Sequence, residues 1–153
     1  MTDTPSPQEI AERSASAMFD ADGASQGLGM TVDAVGPGYA KLSMTVREDM
    51  LNGHKTCHGG FLFALGDSAF AFACNAYNKV TVAQGCEITY IKPGRLGDTL
   101  TAECREQALE GRSGVYDVRI TNQEGTTVAL FRGKSRRIKG DIVPGLTPPD
   151  SID

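Results

Sequence analysis

A loop rich in glycine and histidine, Asn52-Gly53-His54-Lys55-Thr56-Cys57-His58-Gly59-Gly60, runs straight into an apolar stretch, Phe61 to Tyr77, whose one charge is Asp67. A lone acid in such a segment is costly to bury, so it is expected either to do chemistry or to find a partner. The positions three and four residues away on a helix are Phe63, Ala64, Phe70 and Ala71, and none is basic. The stretch is too long for a strand, which usually runs about 5–6 residues, and it predicts a helix starting at the Gly59-Gly60 pair. A helix start offers unpaired backbone N–H groups and the positive end of the macrodipole. Glycines there let another molecule approach the backbone closely, which is the chemistry of an anion or oxyanion site. The bland reading is that the glycines only make the turn.

Asp67 follows Gly59 by eight positions. At about 1.5 Å per residue the separation is roughly 12 Å, so one helix cannot bring its Asp67 to its own N-terminus. Two such helices packed antiparallel about a two-fold axis can, each Asp67 then facing the other chain's Gly59. The geometry therefore asks for a dimer with two equivalent sites.

Three other groupings draw attention. Cys57 beside His58 is not a catalytic dyad by default, because adjacent side chains on an extended loop diverge. His54, Cys57 and His58 lack the further ligand that a closed metal site needs, so no metal is expected. Arg132, Lys134 and Arg136 alternate on one predicted strand and share a face. That stripe is either a charged face that discourages aggregation or a phosphate-binding surface, with Lys92 and Arg95 as second candidates.

The elements that must position these groups can be read in order. Ser6-Pro7-Gln8-Glu9 is a capping box opening a short amphipathic helix over about 7–20, ended by Asp22-Gly23. Leu28–Val35 and Tyr39–Arg47 read as a hairpin around Gly36-Pro37-Gly38, with Ala40, Leu42, Met44 and Val46 on one face. After the central helix come four strand candidates: Val80–Ile91, Asp98–Ala108, Val115–Asn122 and Thr126–Ile138. The pattern is α+β, one sheet wrapping its apolar face around the central helix. Residues 1–138 are expected to form a single domain, and the Pro/Gly-rich residues 139–153 a poorly ordered tail.

Composition narrows the class. The chain has 153 residues, 40% hydrophobic and 22% charged, which fits one ordinary globular domain. A net charge of −4 argues against general nucleic-acid binding. The apolar stretch is short, carries Asp67 and lacks basic anchors, so a membrane span is not expected. No secretory signal is evident. Four cysteines without CxxC spacing read as reduced thiols of a cytoplasmic protein.

Asn52-Gly53-His54, Cys57-His58-Gly59-Gly60, Leu65-Gly66-Asp67-Ser68-Ala69-Phe70-Ala71 and Val128-Ala129-Leu130-Phe131-Arg132-Gly133-Lys134-Ser135 together resemble the hotdog-fold acyl-CoA thioesterases, closest to the phenylacetate-degradation (PaaI) type. The resemblance spans roughly residues 8–138. It implies an antiparallel sheet of six strands around one helix and hydrolysis of an aromatic acyl-CoA such as phenylacetyl-CoA or a hydroxylated relative. Coenzyme A is part of the substrate, and no other cofactor is implied. A homodimer is the minimum active unit, and the family points to a homotetramer. Asp67 would be the nucleophile or the general base that activates water, and Gly59 the oxyanion donor through its N–H. Asn52 would hold the water or the thioester unless it only turns the loop. His58 would flank the carbonyl unless it only orients the backbone. Gly60, Phe61 and Phe70 would bind the acyl end, with Leu62, Tyr39 and Met50 as further lining, and Lys134 and Arg136 would meet the phosphates. A water-holding hydroxyl that some relatives carry early in the strand after the helix has Thr81 as its nearest counterpart. Two rivals remain open: a hotdog acyl-thioester dehydratase or hydratase, and a non-catalytic acyl-CoA-binding module.

Overall fold

The structure is a computed structural model, and it describes residues 3–148. The N-terminal helix α1 (Pro7–Ala21) opens on the expected capping box: Ser6 Oγ accepts from Glu9 N–H, and Glu9 Oε2 accepts from Ser6 N–H. Asp22 ends α1 and at once caps a further short helix, α2 (Gly23–Gly27), its Oδ1 accepting from Ser25 N–H. The first strand therefore starts later than Leu28. β1 (Thr31–Gly36) and β2 (Tyr39–Thr45) form the hairpin, turning at Pro37-Gly38.

One 3-10 turn, Glu48–Met50, leads into the loop and then into α3 (Gly59–Cys74). Beyond it lie β3 (Lys79–Tyr90), β4 (Thr99–Glu110), β5 (Ser113–Thr121) and β6 (Thr127–Asp141). All pairings are antiparallel, and the sheet order is β1-β2-β4-β5-β6-β3. The last strand of the chain thus lies between β5 and β3, leaving β3 with one free edge.

α3 packs across β2, β4 and β5. The face predicted for β2, Ala40, Leu42, Met44 and Val46, is buried, as are Leu100, Ala102 and Cys104 of β4. They meet Leu62, Leu65, Ala69, Phe70, Phe72 and Ala73 of the helix. Helix and sheet come close at Gly133, where a Cβ would lie 2.7 Å from the Phe70 ring. This is the hotdog architecture: six antiparallel strands around a central helix, with the short N-terminal helix outside.

The C-terminal residues differ from the expected loose tail. β6 continues to Asp141, whose Oδ1 accepts from Lys79 Nζ at 2.9 Å. Asn78 then holds the following segment: its Nδ2 donates to Val143 O at 3.1 Å and its Oδ1 accepts from Val143 N–H at 2.7 Å. A single asparagine in left-handed conformation (φ 66°) supplies these bonds, a property composition does not display. Residues 149–153 of the expected tail lie outside the described residues.

Candidate active site

The loop folds upon Asn52. Its Oδ1 accepts from His54 N–H at 2.9 Å, Thr56 N–H at 3.2 Å and Thr56 Oγ1 at 3.3 Å. Asn52 N–H donates to Thr56 O at 2.9 Å, and Lys55 turns the chain at φ 61°. The carboxamide oxygen is committed to this turn, while Asn52 Nδ2 has no hydrogen-bond partner among the described residues. The loop is then tied down: Cys57 N–H donates to Gly94 O and His58 N–H to Met50 O, both at 2.8 Å.

His58 is the N-cap of α3. Its Nδ1 accepts from Gly60 N–H at 3.0 Å, and its carbonyl accepts from Phe61 N–H at 3.0 Å. Just before those two capped amides, Gly59 N–H has no partner among the described residues. Gly59 lines a cavity of about 460 Å³ together with Thr56, Cys57, Leu62, Tyr90, Ile91, Lys92 and Pro93. An unpaired N–H at a helix start can donate to an oxygen that gains negative charge.

Tyr90 is a residue the sequence did not point to. Its hydroxyl donates to Gly59 O at 3.1 Å, and a Cβ at Gly59 would lie 2.9 Å from the Tyr90 Cζ and hydroxyl. A side chain at position 59 would have to push the exposed Tyr90 ring aside. The only local signal was a tyrosine just before the Lys92-Pro93-Gly94 turn, which nothing in the sequence links to residue 59.

Asp67 is half-buried on α3 and has no basic partner among the described residues. Its one recorded hydrogen bond comes from the Cys86 thiol on β3, Sγ to Oδ1 at 3.9 Å. Burial pushes its carboxyl above the usual carboxylate range, the nearby Asp22 pushes the same way, and the Cys86 contact partly offsets both. The carboxylate is thus half-buried with no ion pair among the described residues to offset the cost of its charge.

Phe61 is half-buried, its ring 6.2 Å from that of His58, beside the exposed Gly60. Phe70, expected at the acyl end, is instead a core residue, 1% exposed and packed on Tyr116 and Phe131. Its position on α3 turns it toward the sheet. Met50 is also fully buried, and Tyr39 lies on the outer sheet face, bonded to Glu103. Thr81 is buried and donates to Lys79 O, so its hydroxyl is spent on the strand start.

The basic stripe is exposed on the sheet face opposite α3. Arg132 forms two bonds to Asp117, at 2.7 and 2.9 Å. Lys134 and Arg136 line no cavity with Gly59 within one chain. Lys134 follows Gly133, the register partner of Cys86, which puts it level with Asp67 along the sheet. Lys92 lines the Gly59 cavity, and it also lines, with Pro93 and Arg95, an adjoining polar cavity of about 340 Å³. Cys57 is buried and its thiol is pushed up to about 11, which removes it as a nucleophile.

Comparison with known proteins agrees with this geometry. Residues 54–129 match the family model of the thioesterase superfamily. The acyl-coenzyme A thioesterase PaaI of Escherichia coli is 48% identical over 130 residues, covering 85% of this chain and 93% of that protein. The solved structure of E. coli PaaI, from the phenylacetic acid degradation operon, superposes with a TM-score of 0.88 at 46% identity, covering 89% of this chain and 99% of that one. A hypothetical thioesterase of Streptococcus pneumoniae, solved with coenzyme A, superposes with a TM-score of 0.74 at 27% identity, covering 82% of this chain and 96% of that one. On the identity and coverage of the first of these, and on its six-stranded sheet around α3, the chain belongs to the hotdog-fold acyl-CoA thioesterases of the PaaI type.

Proposed function

We propose that this thioester hydrolase cleaves an aromatic acyl-CoA, of the phenylacetyl-CoA or hydroxyphenylacetyl-CoA kind, to the free acid and coenzyme A. The observation that carries the reading is the pairing of two unsatisfied groups on one helix: the free Gly59 N–H at its start and the uncompensated Asp67 two turns on. In thioester hydrolysis negative charge grows on the carbonyl oxygen, so a helix-start N–H favours the transition state over the substrate. As a base, Asp67 takes a proton from water while the water oxygen attacks the carbonyl carbon. The C–S bond then breaks and the thiolate leaves to be protonated. As a nucleophile, Asp67 attacks the carbonyl carbon itself, the C–S bond breaks and the thiolate leaves to be protonated, and water then hydrolyses the anhydride to the free acid and the Asp67 carboxylate. No resident metal or redox group enters either route.

The site is completed by a second chain. Gly60, Ala64, Asp67 and Ala71 share a helix face that the sheet leaves partly open, and Cys86, in contact with Asp67, sits on β3, the strand with the free edge. Small residues allow helices to pack closely, and an unpaired edge can continue into a partner's sheet. An antiparallel pair then sets Asp67 of one chain toward Gly59 of the other. The homodimer is the active unit and a homotetramer the expected assembly. Lys92 and Arg95 flank the Gly59 cavity and suit the coenzyme A phosphates, with Lys134 and Arg136 at the Asp67 end. The free thiols fit a cytoplasmic enzyme. A hydratase would need a histidine that takes a proton, and His58 accepts from Gly60 N–H at Nδ1, which leaves the neutral ring's proton on Nε2 and no free lone pair there.

The test is thiol release from phenylacetyl-CoA by the native chain and by Asp67→Asn. We expect turnover by the first and a fall in kcat of about 100-fold or more in the second, roughly 2.7 kcal/mol of barrier. Unchanged turnover in the variant returns Asp67 to a structural role. A native chain that hydrates an enoyl thioester, or binds acyl-CoA without cleaving it, overturns the reading.

A further inference from the structure

Beside Asp67 stands a second acid that the reaction does not use. Asp22 joins α1 to α2, and both its oxygens are occupied by one residue: Oδ1 accepts from Ser25 N–H at 2.9 Å and Oδ2 from Ser25 Oγ at 2.6 Å. Ser25 is 1% exposed, and its Oγ also lies 2.8 Å from Ser68 Oγ on α3. A serine has one hydroxyl proton. Because that of Ser25 goes to the carboxylate, the contact with Ser68 is donated by Ser68. The chain of bonds therefore has one direction, from the Ser68 hydroxyl to Ser25 and on to the Asp22 carboxylate. Ser68 is the residue directly after Asp67, so the turn of α3 that carries the candidate catalytic acid is bolted to a second negative charge.

Capping a five-residue helix does not call for a charge, since asparagine or serine caps about as well as aspartate. A carboxylate held near a half-buried one raises the proton affinity of the buried group, and Asp22 acts in this way on Asp67. The groups acting on Asp67 from the elements around it are the Cys86 thiol of β3, which favours the carboxylate, and Asp22, which disfavours it. Cys74, on α3 itself, feels Asp67 in turn.

We propose that Asp22 is a positioning residue of the hydrolytic site: a second carboxylate, fixed through Ser25 and Ser68 against the turn of α3 that carries Asp67, which sets the charge around that acid. The inference rests on the reading of Asp67 as the reacting acid. Asp22 itself touches no substrate.

Asp22→Asn keeps the cap and removes the charge. Two readouts follow it: the acid limb of the pH profile of kcat/KM for phenylacetyl-CoA, and the carbon-13 titration of the Asp67 carboxyl by NMR, which needs no turnover. Both are expected to move to lower pH. Ser68→Ala, which cuts the hydroxyl chain but leaves the charge, is expected to move both in the same direction by less. A folded Asp22→Asn with neither readout moved overturns the proposal and leaves Asp22 as a cap. Should Asp22→Asn fail to fold, Ser68→Ala decides by the same two readouts. Should the native chain cleave no thioester, the function fails by itself, and the NMR titration still decides whether Asp22 acts on Asp67.

Discussion

Burial holds the Asp67 carboxyl above the usual carboxylate range, Asp22 adds to that, and the Cys86 thiol only partly works against it. The folded state therefore binds the Asp67 proton more tightly than the unfolded chain does. The stability that this proton supplies is fully present below the unfolded pKa, about 3.9, and is lost as pH rises through the folded value. At neutral pH the ionised side chain weighs against folding. Asp67→Asn should thus raise the melting temperature at pH 7, on the order of 1–3 °C for a chain of this size, while losing activity. Thermal melts at pH 7 and pH 4 check this: the gain should shrink at pH 4, and a loss at pH 7 would contradict it. The sequence made Asp67 legible because it is the only charge in its segment, and Gly59 because it opens that segment. Tyr90, Cys86 and Asp22 were not legible, because each reaches the site through the fold and from 19 to 45 residues away along the chain.

Among the elements, α3 decides most. Its first turn is organised by the His58 cap, which leaves one amide free, and its flank is fitted to β6 at a position where no side chain has room. Gly133→Ala would drive a methyl to 2.7 Å from the Phe70 ring. Overfilling of this kind costs about 1–3 kcal/mol. Denaturant melts should show that loss, because the Phe70 ring is buried. A neutral Gly133→Ala would mean that helix and sheet are less tightly fitted than described. Alternation along β2 and β4 announced their buried faces in the sequence. Strand order did not show there, because pairing between residues as distant as Gly85 and Lys134 leaves no local pattern. The same limit explains Phe70: apolar periodicity shows that it is buried but not whether it faces core or pocket.

At the scale of the whole molecule, a single chain holds both halves of the chemistry about 12 Å apart along one helix, too far to act on one carbonyl. The account therefore stands on an antiparallel pair in which each site takes Asp67 from one chain and the Gly59 N–H from the other. Complementation tests this directly. Asp67→Asn lacks the acid, and Gly59→Pro removes the N–H itself at a helix position where proline is tolerated, so each homodimer should be nearly inactive. In a mixed dimer, one site combines both lesions and the other has neither. Co-expression of the two variants, with random pairing, should restore about a quarter of the native rate of phenylacetyl-CoA hydrolysis. A mixture as inactive as its parents, with mixed dimers shown to be present, would place Asp67 and Gly59 of the same chain in each site and contradict the account.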